Sequence, residues 1–511
     1  MPNIITNGSW FVNGNWDLGV IPNAFHEVSV GAVGEVTINN NAIANSVFIE
    51  VGGKLTQNSG TLSVAEDFTI ESTAAGTGSF IHKGTLEVGG DITVERFFGT
   101  AETWRLVSSP VANQAVSGSW IPSGGYADGT GYDFYAWHEP SETWRNQKVP
   151  ANAITAFVPG TGYLVSFEDP NLLKTFSGAL NKGTVPVAVT REGSGQYSGS
   201  NLIGNPYASG IDWNQADRTL FEDNFAYVYD RNTGEHGTTE GYLPVDGSAP
   251  DAWIGAHQGF FVLVKDEAKT NFEFTEDMMA HGGAFTKEQP EWEQLILHLN
   301  NDTHYHQTTI RLNEASEFDR DRTDAIHFFS MNPAMPQIYS FTSDQAEVAI
   351  NSIPYIDEEN PVDLGLYLPE AGTFTLSLRE LSGRFNDLVP YLEDLGEDRM
   401  INLKSEGEYS FSAWQGTLIN RFRLHLKSGD TTTSVEEAEP NLNRMWFHDN
   451  KLFVDAAEIL DVGVYDVSGR RLGSYRALAG QHVFPLQLAA GVYVVSLDGN
   501  THRETLRIVV R

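Results

Sequence analysis

Across 511 residues, 67 Asp and Glu outnumber 32 Lys and Arg, giving a formal charge of −35 with no cysteine anywhere. That balance disfavours nucleic acid and anionic lipid as partners, and the missing thiols exclude disulfides, thiolate metal sites and cysteine nucleophiles. No apolar run approaches the roughly 20 residues that span a bilayer, so no membrane insertion is expected, and the length divides into several domains of roughly 100–200 residues.

The chain opens Met1-Pro-Asn-Ile-Ile5, with neither a basic stretch nor an apolar core, so this sequence is read as carrying no signal peptide. Short alternating runs such as Thr85-Leu-Glu-Val88 and Phe422-Arg-Leu-His-Leu426, among 49 glycines, mark an all-β chain. Two short helices are expected as exceptions, over 216–222 and 385–395.

Residues 1–95 are expected to form a capped solenoid. Gly60-Thr-Leu-Ser-Val-Ala-Glu-Asp-Phe-Thr-Ile-Glu71 returns as Gly84-Thr-Leu-Glu-Val-Gly-Gly-Asp-Ile-Thr-Val-Glu95, an offset of 24. A period of that size built from short strands and Gly/Asn turns predicts coils of a short parallel β-helix over 33–95. Trp10 and Trp16 stand ahead of it, where they can cover the open end.

Residues 96–285 read as a duplicated β-unit. Trp104-Arg-Leu-Val-Ser-Ser-Pro110 aligns with Ser200-Asn-Leu-Ile-Gly-Asn-Pro206 at an offset of 96, and Gly162-Tyr-Leu-Val-Ser-Phe167 with Gly259-Phe-Phe-Val-Leu-Val264 at 97. Their aromatics, Tyr126, Tyr132, Tyr135, Trp137 and Trp144, then Trp213 and Trp253, either fill the interior or present rings to sugars. Trp144 and Trp253, beside turn residues, are the ligand-binding candidates.

A β-sandwich is expected over 286–427, after the Lys287-Glu-Gln-Pro290 break. His298, His304 and His306 can be imagined around zinc, although an exposed hairpin tip explains them as well. Asp319, Asp321 and Asp324 offer clustered oxygens for calcium, against which the interleaved Arg320 and Arg322 argue for ion pairing. No other cofactor is indicated, and zinc-protease, nucleophile-elbow, phosphate-loop and calcium-loop motifs are absent. No catalytic residue is assigned.

The stretch 428–443 is apolar-poor and reads as a linker. Beyond it the charge changes: residues 435–511 hold ten acidic and eight basic side chains, against 57 and 24 before them. This tail contains Val464-Tyr-Asp-Val-Ser-Gly-Arg-Arg-Leu472, then Leu486-Gln-Leu-Ala-Ala-Gly-Val-Tyr-Val-Val495, and ends Arg507-Ile-Val-Val-Arg511. In that order, an Asp-x-x-Gly-Arg turn, a Gly-x-Tyr strand and a basic end resemble the type A C-terminal sorting domain of type IX secretion system cargo proteins of Bacteroidota. The family's Tyr-Pro-Asn-Pro-like opening is reduced here to Pro440-Asn441 followed by Met445-Trp-Phe.

The resemblance implies that 444–511 is an Ig-like, seven-stranded sorting domain with Tyr465, Asp466, Gly469, Arg470, Gly491, Tyr493 and Arg511 as its signal. It implies export across the outer membrane to the cell surface, with the type IX translocon and its outer-membrane shuttle protein as partners. The upstream Trp-Arg-Leu-Val-Ser-Ser-Pro and Leu-Ile-Gly-Asn-Pro-Tyr segments are similar to adhesin-like stalks. A non-enzymatic adhesin or structural surface protein is the expected function, with a glycan or other surface ligand; the alternative is a secreted polysaccharide-binding or polysaccharide-degrading protein.

Overall fold

The computed structural model describes residues 2–4, 6–32, 34–99, 103–121, 133–167, 173–234, 237–250, 252–265, 270–282, 292–428, 444–448, 451–456, 459–478, 480–486, 488–489, 491–499 and 503–510. Among them almost every regular element is a strand, and the one α-helix is the single turn Leu403–Glu406. The chain divides into two units, 1–230 with 241–290, and 231–240 with 291–511.

The first unit begins as parallel strands stacked in three sheets. One stacks Glu27–Val30, Ser46–Ile49, Phe68–Ile70 and Ile92–Phe97, a second Gly8–Ser9, Glu35–Ile38, Lys54–Gln57 and Ser79–His82, a third Ala42–Ala44, Thr61–Val64 and Thr85–Val88. Leu62 pairs with Leu86 and Val64 with Val88, while Phe68 pairs with Ile92 and Ile70 with Val94. The 24-residue offset is therefore one step of the stack. Alternate residues point inward because strand side chains alternate faces, and Leu62, Val64, Phe68, Ile70 and Val94 are buried, with Leu86, Val88 and Ile92 packed against them.

Glycine opens each repeat because the previous coil leaves no room for a side chain. A Cβ on Gly60, which has φ +78°, would lie 2.4 Å from the Asn40 carbonyl carbon, and one on Gly84 would lie 2.6 Å from the Gly60 oxygen. Buried Gln57 ties successive coils, its Nε2 donating to the carbonyls of Gly60 at 3.0 Å and Thr85 at 2.8 Å. At the N-terminal end Trp10 and Trp16 are buried edge to face, 5.2 Å apart, and the Trp16 indole donates to the Trp10 carbonyl.

The strand Ile92–Phe97 has two roles. One edge pairs in parallel with Phe68–Ile70, and the other pairs antiparallel with Leu173–Ser177. It closes the stack and also joins the antiparallel region, so no structural break falls at residue 95. Two four-stranded antiparallel sheets come next, with one strand order: Arg105–Val107, Tyr163–Ser166, Asp133–His138, Thr143–Asn146, and Ser200–Gly204, Gly259–Leu263, Phe225–Gly234, Gly237–Asp246. Each has an outlying antiparallel pair, Ile92–Phe97 with Leu173–Ser177 and Val185–Val189 with Thr270–Phe274.

In the second unit, residues 294–428 form one hydrogen-bonded sheet of eleven strands, where two facing sheets were expected. Its long strand Gly416–Ser428 pairs on one side with Leu388–Asp394 and on the other, through a register shift at Leu364/Leu366, with Val362–Leu368. Such bulged long strands let a sheet bend, and this one curls into a near-barrel around a single core. Strands near opposite ends of the order meet inside: the Tyr409 hydroxyl donates to buried Asp394 at 2.9 Å, and Arg421 Nε and Nη2 each reach the same carboxylate at 2.9 Å.

Neither expected helix is present. Residues 216–222 follow the 3₁₀ turn Trp213–Gln215 without regular structure, and 385–395 hold the 3₁₀ turn Gly383–Asp387 and the strand Leu388–Asp394. Alternate burial along that strand wins, and Pro390 lacks the N–H that a helix interior needs. The tail forms a three-stranded sheet, Arg444–His448, Lys451–Ala456 and Gly480–Pro485, and a four-stranded one, Arg471–Ala477, Leu460–Asp466, Gly491–Asp498 and Arg503–Val510, sharing one core. Most of the expected linker, 429–443, lies outside the described residues, as does the Lys287 to Pro290 break.

Candidate functional site

The tail signature resolves into two built local structures. Between the paired strands Leu460–Asp466 and Arg471–Ala477, the Gly469 N–H donates to the Asp466 carbonyl at 2.9 Å and the Asp466 N–H to the Arg470 carbonyl at 3.0 Å. Gly469 has φ +82°, which favours glycine because it has no Cβ. The Asp466 carboxylate accepts from the N–H groups of Ser468 and Arg470, each at 3.0 Å, from the Ser468 hydroxyl, and from Arg470 Nε at 3.0 Å. Those donors, led by the Ser468 hydroxyl, hold its carboxyl below the ordinary range. The spacing Asp-x-x-Gly-Arg is thus a self-closing hairpin turn, with Val467 exposed at its tip.

The Gly-x-Tyr element has a different cause. Residues two apart share a strand face, and the Tyr493 ring lies back over Gly491 while its hydroxyl donates to the Ala489 carbonyl at 2.8 Å. A tyrosine hydroxyl bonded to backbone a few residues upstream is the corner device of β-sandwiches. The same covering of glycine by a ring recurs at Gly463 under Tyr465 and Gly473 under Tyr475, where aromatic rings shield the bare backbone of strand glycines. The sequence pattern singled out Tyr493 and Tyr465 but not Tyr475. Arg511 lies outside the described residues.

The aromatic candidates separate. Trp144 is half-buried, its ring edge-on to Trp137 at 5.1 Å and to Phe261 at 6.0 Å, inside an aromatic cluster that includes Tyr197. Trp253 is 41% exposed, and its ring lies across Gly282, where a Cβ would come within 2.1 Å. Trp213 is buried against Phe221, Phe260 and Phe272; Tyr135 and Trp137 are half-buried, and Tyr126 and Tyr132 lie outside the described residues.

The acidic triplet is spent on backbone and side-chain donors. Asp319 accepts from the Ser343 hydroxyl at 2.6 Å, Asp321 from the Thr323 N–H at 2.7 Å and from its hydroxyl, and Asp324 from the N–H groups of Ser352 and Asp321 at 2.7 and 2.8 Å. Burial pushes the Asp324 carboxyl up to about 6, which weakens its charge for a cation. The histidines are not brought together. His306 faces inward beside Leu299, with its ring 5.5 Å from His327, and burial drives it down to about 4. His298 is opposite Gln307 and stacks on Tyr305, while His304 bonds the Thr303 hydroxyl at the turn. Among the described residues no three His, Asp or Glu side chains are grouped to hold a metal ion.

Beside the triplet, the curled sheet opens into a cavity of about 300 Å³. Phe318, Phe341, Asn351, Asp357, Asn360 and Asp363 contribute to its wall. None was a sequence candidate, because they come from separate segments; the nearest signal was Phe318, immediately before Asp319. Among the described residues no helix is long and apolar enough to cross a membrane.

No curated protein matches this chain. Among solved structures it is similar to a chain described as "Biofilm associated protein - BSP domain", at 10% identity over 82% of this chain and 92% of that one, with a TM-score of 0.17. A likeness at that score carries no argument about fold or function. A family described as a domain of unknown function (DUF8693) matches residues 3–426, ending inside the last long strand of the near-barrel and leaving the tail outside. Because that match takes in well over half of the 511 residues, the chain belongs to the DUF8693 family.

Proposed function

We propose that this chain is a non-enzymatic adhesive or structural protein of the cell surface, exported by a type IX secretion system through its last domain. The observation that carries the reading is the tail: an Asp466-to-Arg470 turn closed on itself and a Tyr493 corner, set in a separate core beyond the family match. Upstream, the three stacked parallel sheets support a short β-helix, and the two sheets of identical strand order support two copies of one β-unit over 96–285. Strands stacked in this way suit a stiff, ligand-presenting body.

The test is export. Residues 435–511 fused behind a periplasmic fluorescent protein are expected to carry it outside cells that have the type IX machinery, and a Gly469→Ala fusion to do so less well. Fluorescence that stays in the periplasm of wild-type cells would sink the assignment. The second reading, a polysaccharide-degrading protein, predicts soluble reducing ends when purified 1–434 is incubated with insoluble glycans; retention without release favours the first.

A further inference from the structure

We propose that the cavity of the curled sheet binds one neutral sugar residue. This deepens the adhesive reading and rests on it. Its volume of about 300 Å³ sits at the lower end of the range for small-ligand pockets, roughly 300–1,000 Å³, which is room for a single ring and not for a wrapped polymer. Two half-buried rings, Phe318 and Phe341, contribute apolar faces, and apolar C–H faces are what a pyranose offers an aromatic side chain. Asn351, Asp357 and Asp363 add oxygen acceptors for hydroxyl groups.

Charge narrows the ligand class. No lysine or arginine is among the described residues that line the cavity, so a uronic, sulfated or phosphorylated sugar would find no cationic side chain in the wall to receive its own charge beside Asp357 and Asp363. A cation is disfavoured for a separate reason. Asp363 is already paired with Arg423 at 3.0 Å, and Asp357 accepts from the N–H groups of Glu359 and Asn360 and from Asn360 Nδ2 at 2.9, 3.1 and 2.8 Å. Each carboxylate still has lone pairs for a neutral O–H donor while its charge is answered.

The purified chain of residues 1–511 is titrated by saturation-transfer NMR and calorimetry with methyl glucoside, methyl mannoside, methyl galactoside and N-acetylglucosamine, and with glucuronate and tyramine as charged probes. At least one neutral sugar is expected to bind. Phe318→Ala, and Ser343→Trp placed at the exposed rim, should each weaken it about tenfold, the worth of roughly one ring contact. Absence of binding by every neutral sugar, preference for glucuronate or tyramine, or unchanged affinity in Ser343→Trp would overturn the proposal. Should Phe318→Ala fail to fold, Ser343→Trp decides alone. Binding to both the free sugar and an insoluble neutral glycan assigns a surface polymer, and binding to the free sugar only assigns a soluble one; either supports a sugar site. Because the assay uses purified protein, its failure and a failure of export are read independently.

Discussion

Asp394 shows how much a single side chain holds in this chain. It is fully buried, yet it accepts from Tyr409, from two nitrogens of Arg421 and from the Gly396 N–H at 2.8 Å. Removing one partner of a buried pair leaves the other uncompensated, at a cost of roughly 3–5 kcal/mol. Asp394→Ala is therefore expected to lower stability by about that much in urea unfolding, and the Asp394→Ala/Arg421→Ala double change by less than the two single changes added together. Histidines act at the same scale. His82, His281 and His306 are driven by burial from 6.5 down to about 4, and His257 and His327 well below 6.5. Between those values the unfolded chain takes up protons that the folded chain refuses, so stability is full above about pH 6.5 and falls as pH drops towards about 4. Asp324, raised to about 6, and Glu71, raised by burial and by Glu50 and Glu95, work in the opposite direction. The buried histidines outnumber these two acids, so the net expectation is a melting temperature that falls through this window, with a shallower slope in His327→Gln; a flat profile would contradict the buried neutral rings.

At the scale of elements, position within the stack decides what a substitution costs. Thr61–Val64 is flanked on both edges, by Ala42–Ala44 and Thr85–Val88, whereas Thr85–Val88 is the last strand of its sheet. Val64 is 2% exposed and Val88 only half-buried. Val64→Asp, which buries an unpaired charge, should cost more than about 4 kcal/mol and Val88→Asp markedly less. Thermal melting of the two variants checks this, and equal losses would mean that the stack does not end where the strand order ends. The repeat itself was legible because its offset is the distance from one coil to the next. Legible too was the Asp466-to-Arg470 turn, whose hydrogen bonds all close within five residues. The helices over 216–222 and 385–395 were misread because local propensity cannot register that Leu388–Asp394 finds partners on both sides.

For the whole molecule, the tail has its own core, which has no side chain in common with the core of the near-barrel among the described residues. A protein of residues 1–428 is expected to melt within a few degrees of the intact chain, followed by circular dichroism. A large drop would show that residues 429–511 stabilise the rest. What the sequence determined alone was what repeats or closes locally: the all-β character, the 24-residue stacking, the matching segments 96 and 97 apart and the tail turn. Tertiary structure decided everything that depends on which distant strand lies alongside. It made Ile92–Phe97 a member of two arrangements through Leu173–Ser177, laid Trp144 against Phe261 while leaving Trp253 exposed, set His298 and His306 on opposite faces, and gathered Phe318, Phe341 and Asp363 around one cavity. The physical reason is that strand periodicity says which residues share a face, but pairing and register choose what that face meets.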